Sequence, residues 1–93
     1  MSKVVEAAVA ALDPKAKGFD GTAKFVIEGE GAVYIDASGA RAADDAADVT
    51  LTASRETFEG LLSGDVNPTM AFMTGKLKVS GDMSVALKLQ RVV

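Results

Sequence analysis

Short stretches of this chain alternate apolar and polar residues at the period of a β-strand, and that alternation decides what kind of fold it can take. Ala23, Phe25 and Ile27 are interleaved with Lys24 and Val26, and Val33, Ile35 and Ala37 with Tyr34 and Asp36. Val49, Leu51 and Ala53 are interleaved with Thr50 and Thr52, and Leu77 and Val79 with Lys76, Lys78 and Ser80. A strand reads this way when one face is buried and the other is wet. Such a sheet needs a covering layer, and the remaining apolar residues supply one. Val4, Val5, Ala8, Val9 and Leu12 recur at helical spacing, as do Phe58, Leu61 and Leu62, and Met83 to Arg91 reads as a closing amphipathic helix. Strands come first and helices gather around the later strands, which predicts an α+β fold rather than a parallel βαβ series.

Turn and cap residues punctuate these segments. Pro14 is expected to set the limit of the first helix. Gly29-Glu30-Gly31 predicts a hairpin reversal, and Ala40 to Ala47, with Asp44-Asp45 and no large apolar residue, an edge strand or loop. Ser54 is the expected cap of a helix whose first turn carries Glu56, and Gly64 its end. Asn67-Pro68 opens a short helical turn containing Met70, Ala71, Phe72 and Met73, which Gly75 stops. Gly81-Asp82 is a turn and cap before the last helix.

Several function classes are excluded by what the chain lacks. Its 93 residues fit one domain, 1–93, with no room for a second core. There is no histidine and no cysteine, so the usual zinc sites and the Ser-His and Cys-His nucleophile systems cannot be built. Catalysis would fall to carboxylates, lysines or Tyr34, and Glu56 and Asp82 read as helix-end groups; no enzyme and no cofactor is expected. A net charge of −3 and few aromatic residues argue against a nucleic-acid partner. Glu6 interrupts the early apolar stretch, so a cytoplasmic helix is expected there and not a signal peptide. No apolar run approaches the roughly 20 residues that cross a bilayer.

One region carries more than fold. Asn67-Pro68 with Ala71-Phe72, then Gly75 to Met83 as GKLKVSGDM, then Ala86 to Gln90 as ALKLQ, resembles the sterol carrier protein type 2 family of small lipid-binding domains. The resemblance implies a five-stranded, mainly antiparallel sheet with helices covering one face. It also implies a non-enzymatic carrier of apolar lipid (fatty acid, acyl-CoA, sterol or phospholipid) in a cavity between the sheet and the later helices. The expected wall from the strands is Phe25, Ile27, Ile35, Leu77 and Val79. From the helices it is Phe58, Leu62, Met70, Phe72, Met73, Met83 and Leu87, with Gln90 available to a polar lipid end. Members of that family often carry a longer leading helix, which implies a less enclosed cavity here. The Arg91-Val92-Val93 end is not the peroxisomal Ser-Lys-Leu address, so a cytoplasmic setting is expected.

The soft methionines serve core packing and cavity wall equally well. A large dry cavity is costly: about 300 Å³ at roughly 24 cal/mol per Å³ is about 7 kcal/mol, comparable with the whole stability of a small domain. Partial collapse or a resident lipid is therefore expected. A buried sixteen-carbon chain offers roughly 13 kcal/mol gross at about 0.8 kcal/mol per methylene, enough for binding without a charged anchor. Lys76, Lys78 and Lys88 read first as solvated positions, with transient membrane-surface contact as their functional alternative. Asp44, Asp45 and Asp48 lack the glycine and terminal glutamate of a calcium loop. The competing reading is an interaction module that dimerises or docks to a lipid enzyme through an exposed stripe of Val4, Val5, Val9 and Leu12.

Overall fold

The computed structural model describes residues 2–89. In chain order they form α1 (Lys3–Ala16), β1 (Ala23–Ile27), β2 (Gly31–Asp36), β3 (Gly39–Ala42) and β4 (Val49–Ala53). These are followed by α2 (Arg55–Ser63), α3 (Pro68–Met73), β5 (Leu77–Gly81) and α4 (Met83–Leu89). The strands make one sheet in the order β3-β2-β1-β4-β5. Neighbours are antiparallel except β1 and β4, which pair in parallel with Phe25 opposite Leu51. The fold is the expected α+β arrangement with a mostly antiparallel sheet.

The alternation sorts the faces as read. Ala23, Phe25 and Ile27 are buried on β1, Val33 and Ile35 on β2, and Val49, Leu51 and Ala53 on β4. α1 covers the β2–β3 side through Val5, Ala8, Leu12 and Ala16, all buried. The expected exposed stripe on this helix is therefore absent: Val5 and Leu12 are spent within the chain's own core, and Val4 and Val9 are half-buried against it. Pro14 does not limit α1 either. It sits in the last turn, and the helix runs two residues further to Ala16. One missing N–H so close to a helix end removes a single backbone bond, which packing of Leu12 and Ala16 offsets.

Both β3 and β4 run parallel to β1, with β2 and β1 between them, so residues 43–48 must cross the sheet. They cross on the polar face. Lys24 Nζ pairs with Asp44 at 2.8 Å and the Tyr34 hydroxyl donates to the Ala46 carbonyl at 3.1 Å. Lys24 and Tyr34 are themselves register partners, so the crossover lies over their shared face. This leaves the apolar face of β1, β4 and β5 to α2, α3 and α4.

Candidate functional site

Three short helices overhang that face and are held by their caps. Ser54 Oγ accepts from Thr57 N at 3.2 Å and starts α2. Asn67 Oδ1 accepts from Thr69 N at 2.9 Å and Met70 N at 3.2 Å, with Pro68 in the first turn of α3. Asp82 Oδ1 accepts from Ser84 N at 2.9 Å and the Ser84 hydroxyl at 2.6 Å, fixing the start of α4. Those bonds favour the ionised carboxylate and hold Asp82 below its usual value, the Ser84 hydroxyl being the largest cause. The connection into α4 is backed by Asp82 N donating to the Asp48 carbonyl at 2.8 Å.

Between these helices and the sheet is an open cavity of about 330 Å³. Its floor is a row across three strands, since Phe25 pairs with Leu51 and Leu51 with Val79, and Leu77 extends it along β5. α2 contributes Leu61, α3 contributes Pro68, Thr69 and Phe72, and α4 contributes Met83, Ala86, Leu87 and Leu89. Phe72, Met83 and Leu87 are about half exposed or more and form the mouth, while Leu61 and Leu89 are buried. Among the described residues, the Thr69 hydroxyl is the polar side chain of the lining, and no ionisable side chain lines the space. The site has the means to hold an apolar molecule.

The sequence-derived wall divides on this geometry. Phe25, Phe72, Leu77, Val79, Met83 and Leu87 line the cavity. Ile27 and Ile35 do not; they are buried in the core. Met70 and Met73 turn outward, 57% and 74% exposed. The spacing explains this: Pro68 and Phe72 share one face of α3, whereas Met70 and Met73, three apart, share another. Phe58 and Leu62 line a second groove instead, about 420 Å³, between α1 and α2, together with Lys3, Val4, Ala7, Ala8, Ala11, Arg55 and Glu59. Gln90 lies outside the described residues. α1 contributes no residue to the main cavity; among the described residues its helical walls come from α2, α3 and α4. Leu51, Leu61, Pro68, Thr69, Ala86 and Leu89 are lining residues absent from the sequence-based set. Leu51 and Leu61 were legible as inward-facing; which cavity they met was not.

A small α+β unit with an apolar cavity between its sheet and its later helices is the architecture of a lipid carrier domain. The chain belongs to the SCP-2 sterol transfer family, whose model matches residues 3–93. It is 47% identical over 49 residues to hydroxysteroid dehydrogenase-like protein 2 from Bos taurus, a match covering 53% of this chain and 12% of that protein. With the Xenopus tropicalis protein of the same name the identity is 36% over 85 residues, covering 83% of this chain and 20% of the other. The chain thus spans a fifth or less of these two relatives. Among solved structures, the sterol carrier protein domain 2 of Helicoverpa armigera superposes with a TM-score of 0.76 at 28% identity, covering 95% of this chain and 86% of that one. Sterol carrier protein 2 from Aedes aegypti, in complex with palmitate, has a TM-score of 0.73 at 22% identity, covering 97% and 94%. Among the described residues no helix is long and apolar enough to cross a membrane, and no acidic cluster could hold a metal ion.

Proposed function

We propose that this chain binds and transfers a single-chain apolar lipid, with fatty acid the leading candidate, and that it does so without chemistry of its own. The observation that carries the reading is the cavity of about 330 Å³ whose lining, among the described residues, is apolar apart from Thr69. The volume sits at the lower end of the roughly 300–1,000 Å³ range of small-molecule sites. Its cost to the empty protein is reduced because the mouth opens to solvent, where Phe72, Met83 and Leu87 stay partly wet. A lipid tail covers these side chains and the floor together, so burial of ligand and of protein surface add. The family match and the palmitate complex of the Aedes aegypti protein support the same ligand class. Native mass spectrometry of gently purified protein, with displacement of a fluorescent fatty acid, tests it. Co-purified lipid and displacement at micromolar ligand are expected; neither appearing at tens of micromolar would remove the reading.

A second reading has a specific observation behind it. The relatives that match are much longer proteins named as dehydrogenase-like, and this chain corresponds to a small part of them. A role as the lipid-presenting unit of a lipid-metabolising enzyme, acting in trans or as part of one chain, is compatible with the same cavity. Its dimerisation variant has less to rest on, because Val5 and Leu12 of the α1 stripe are buried and Val4 and Val9 are half-buried. Gel filtration with multi-angle light scattering checks this, and a monomer is the expected result.

A further inference from the structure

An aromatic pair stands between the main cavity and the α1–α2 groove. Phe25 lines the first and Phe58 the second, and their ring centroids lie 5.2 Å apart at 65°. Consecutive residues of α2 repeat the division, Leu61 facing the main cavity and Leu62 the groove. An engineered cavity of about 150 Å³ accommodates benzene, so by proportion the main cavity holds roughly thirteen carbon atoms. A longer chain exceeds that volume. It must either trail through the α3–α4 mouth into water or displace the partition.

The second course brings a head group to cations that the mouth's described lining lacks. At the α3–α4 mouth a carboxylate would find the Thr69 hydroxyl and, among the described residues, no cation in the lining. The groove carries Lys3 and Arg55. Arg55 gives its Nε to Glu59 at 2.8 Å, and a guanidinium has further N–H donors suited to a carboxylate. α1 starts beside Gly31, since Val5 Cγ2 is 3.1 Å from where a Gly31 Cβ would stand, and α2 starts directly after Ala53. Gly31 and Ala53 are both register partners of Ile27, so the two helices begin at one end of the sheet. Their positive dipole ends therefore lie at that end with Lys3 and Arg55. Glu59 lines the groove, and Glu30 and Glu56 stand in the field of Arg55. These acids weaken the attraction, which is why head group and chain need separate tests.

We propose that the two spaces form one split site for a long-chain fatty acid, its tail in the main cavity, its chain passing a displaced Phe58, and its carboxylate beside Lys3 and Arg55. The proposal rests on the lipid-cavity reading and adds the orientation and the chain-length requirement. Isothermal titration with palmitate, methyl palmitate and decanoate decides it. Ala7→Trp fills the groove from an exposed position on α1, so folding is not at stake. It should weaken palmitate about tenfold or more, because displaced methylenes return to water, and move decanoate by less than about twofold. Arg55→Gln should weaken palmitate by roughly two- to fivefold and leave the methyl ester unchanged. Palmitate affinity untouched by Ala7→Trp, or both acids weakened alike, would overturn the split site. If Leu87→Trp at the main mouth then abolishes palmitate binding, the cavity reading stands and only the split site falls. If the unmodified protein binds neither acid, both fall together.

Discussion

Thr22 and Asp48 exchange two hydrogen bonds at the start of the parallel strands β1 and β4: Thr22 N donates to Asp48 Oδ2 at 3.2 Å, and Asp48 N donates to Thr22 Oγ1 at 2.9 Å. The pair closes the ladder where no tight turn can, since the connection into β4 arrives from the far edge of the sheet. Thr22→Val removes one acceptor and should cost about 1 kcal/mol, as should Asp48→Ala. Urea denaturation of the double variant should depart from the sum of the two, because each side chain positions the backbone that the other bond uses. Fatty-acid affinity should stay within about twofold, since neither residue lines a cavity. Full additivity would mean that the two bonds act separately.

The same Asp48 limits what Gly81 can be. Gly81 has φ 110°, and a Cβ there would run into the Asp48 carbonyl and reach 3.0 Å from Val49 Cα. Backbone on both sides leaves nothing flexible to move. Gly81→Ala should destabilise by at least about 1–3 kcal/mol. It should also displace α4, because Asp82 N is tied to the same carbonyl. Thermal unfolding together with fatty-acid titration checks this: both stability and affinity are expected to fall. A loss of stability with unchanged affinity would show that α4 does not depend on this joint.

The pH response at the β2–β3 turn follows from Asp36. Its carboxylate accepts from the Ser38 hydroxyl at 2.6 Å, Arg41 Nη1 at 2.7 Å and Ser38 N at 2.9 Å. These bonds, the Ser38 hydroxyl first, lower it from 3.8 to about 2. A depressed carboxylate stabilises the fold above its unfolded value and loses that contribution as pH falls through the folded one. The Asp36 contribution is therefore complete above about pH 4 and disappears toward about pH 2. Carboxyl-detected NMR titration should place its midpoint near the lower value. Ser38→Ala should raise the midpoint more than Arg41→Ala does; the reverse order would make the ion pair the dominant cause.

What the sequence made legible was whatever is local. Phe25 and Leu51 read as inward-facing from period two, and Ser54 and Asn67-Pro68 as helix starts, because strand pleat and capping act over a few residues. The row Phe25–Leu51–Val79 was not legible. It depends on pairing β1 in parallel with β4, which brings together positions far apart in the chain. Pro14 misled because the cost of a proline depends on its distance from the helix end, and that end is set by packing of Ala16. Met70 and Met73 misled because apolar residues in a six-residue helix cannot all face inward; Ala71, 2% exposed, takes the inner place. Composition indicated a soft apolar cluster, and only the rotation of α3 decides which half of it meets the cavity.

That rotation gives the sharpest test, since Met73 and Leu87 are both well exposed and only Leu87 lines the cavity. Neither change threatens the core. Met73→Ala should alter stability by less than about 0.5 kcal/mol, as exposed substitutions do, whereas Leu61→Ala should cost roughly 2–5 kcal/mol. Met73→Trp should leave fatty-acid affinity unchanged. Leu87→Trp should lower it markedly, because the indole can fold into the mouth beside Phe72 and Met83. The difference also appears in heat stability. At ligand one hundred times its Kd, binding adds about 2.7 kcal/mol, on the order of 10–20 °C for a domain of this size. Met73→Trp should keep that ligand-induced rise and Leu87→Trp should lose most of it. If Met73→Trp alone abolishes the rise, then α3 turns on binding and the cavity that accepts lipid is built from its other face.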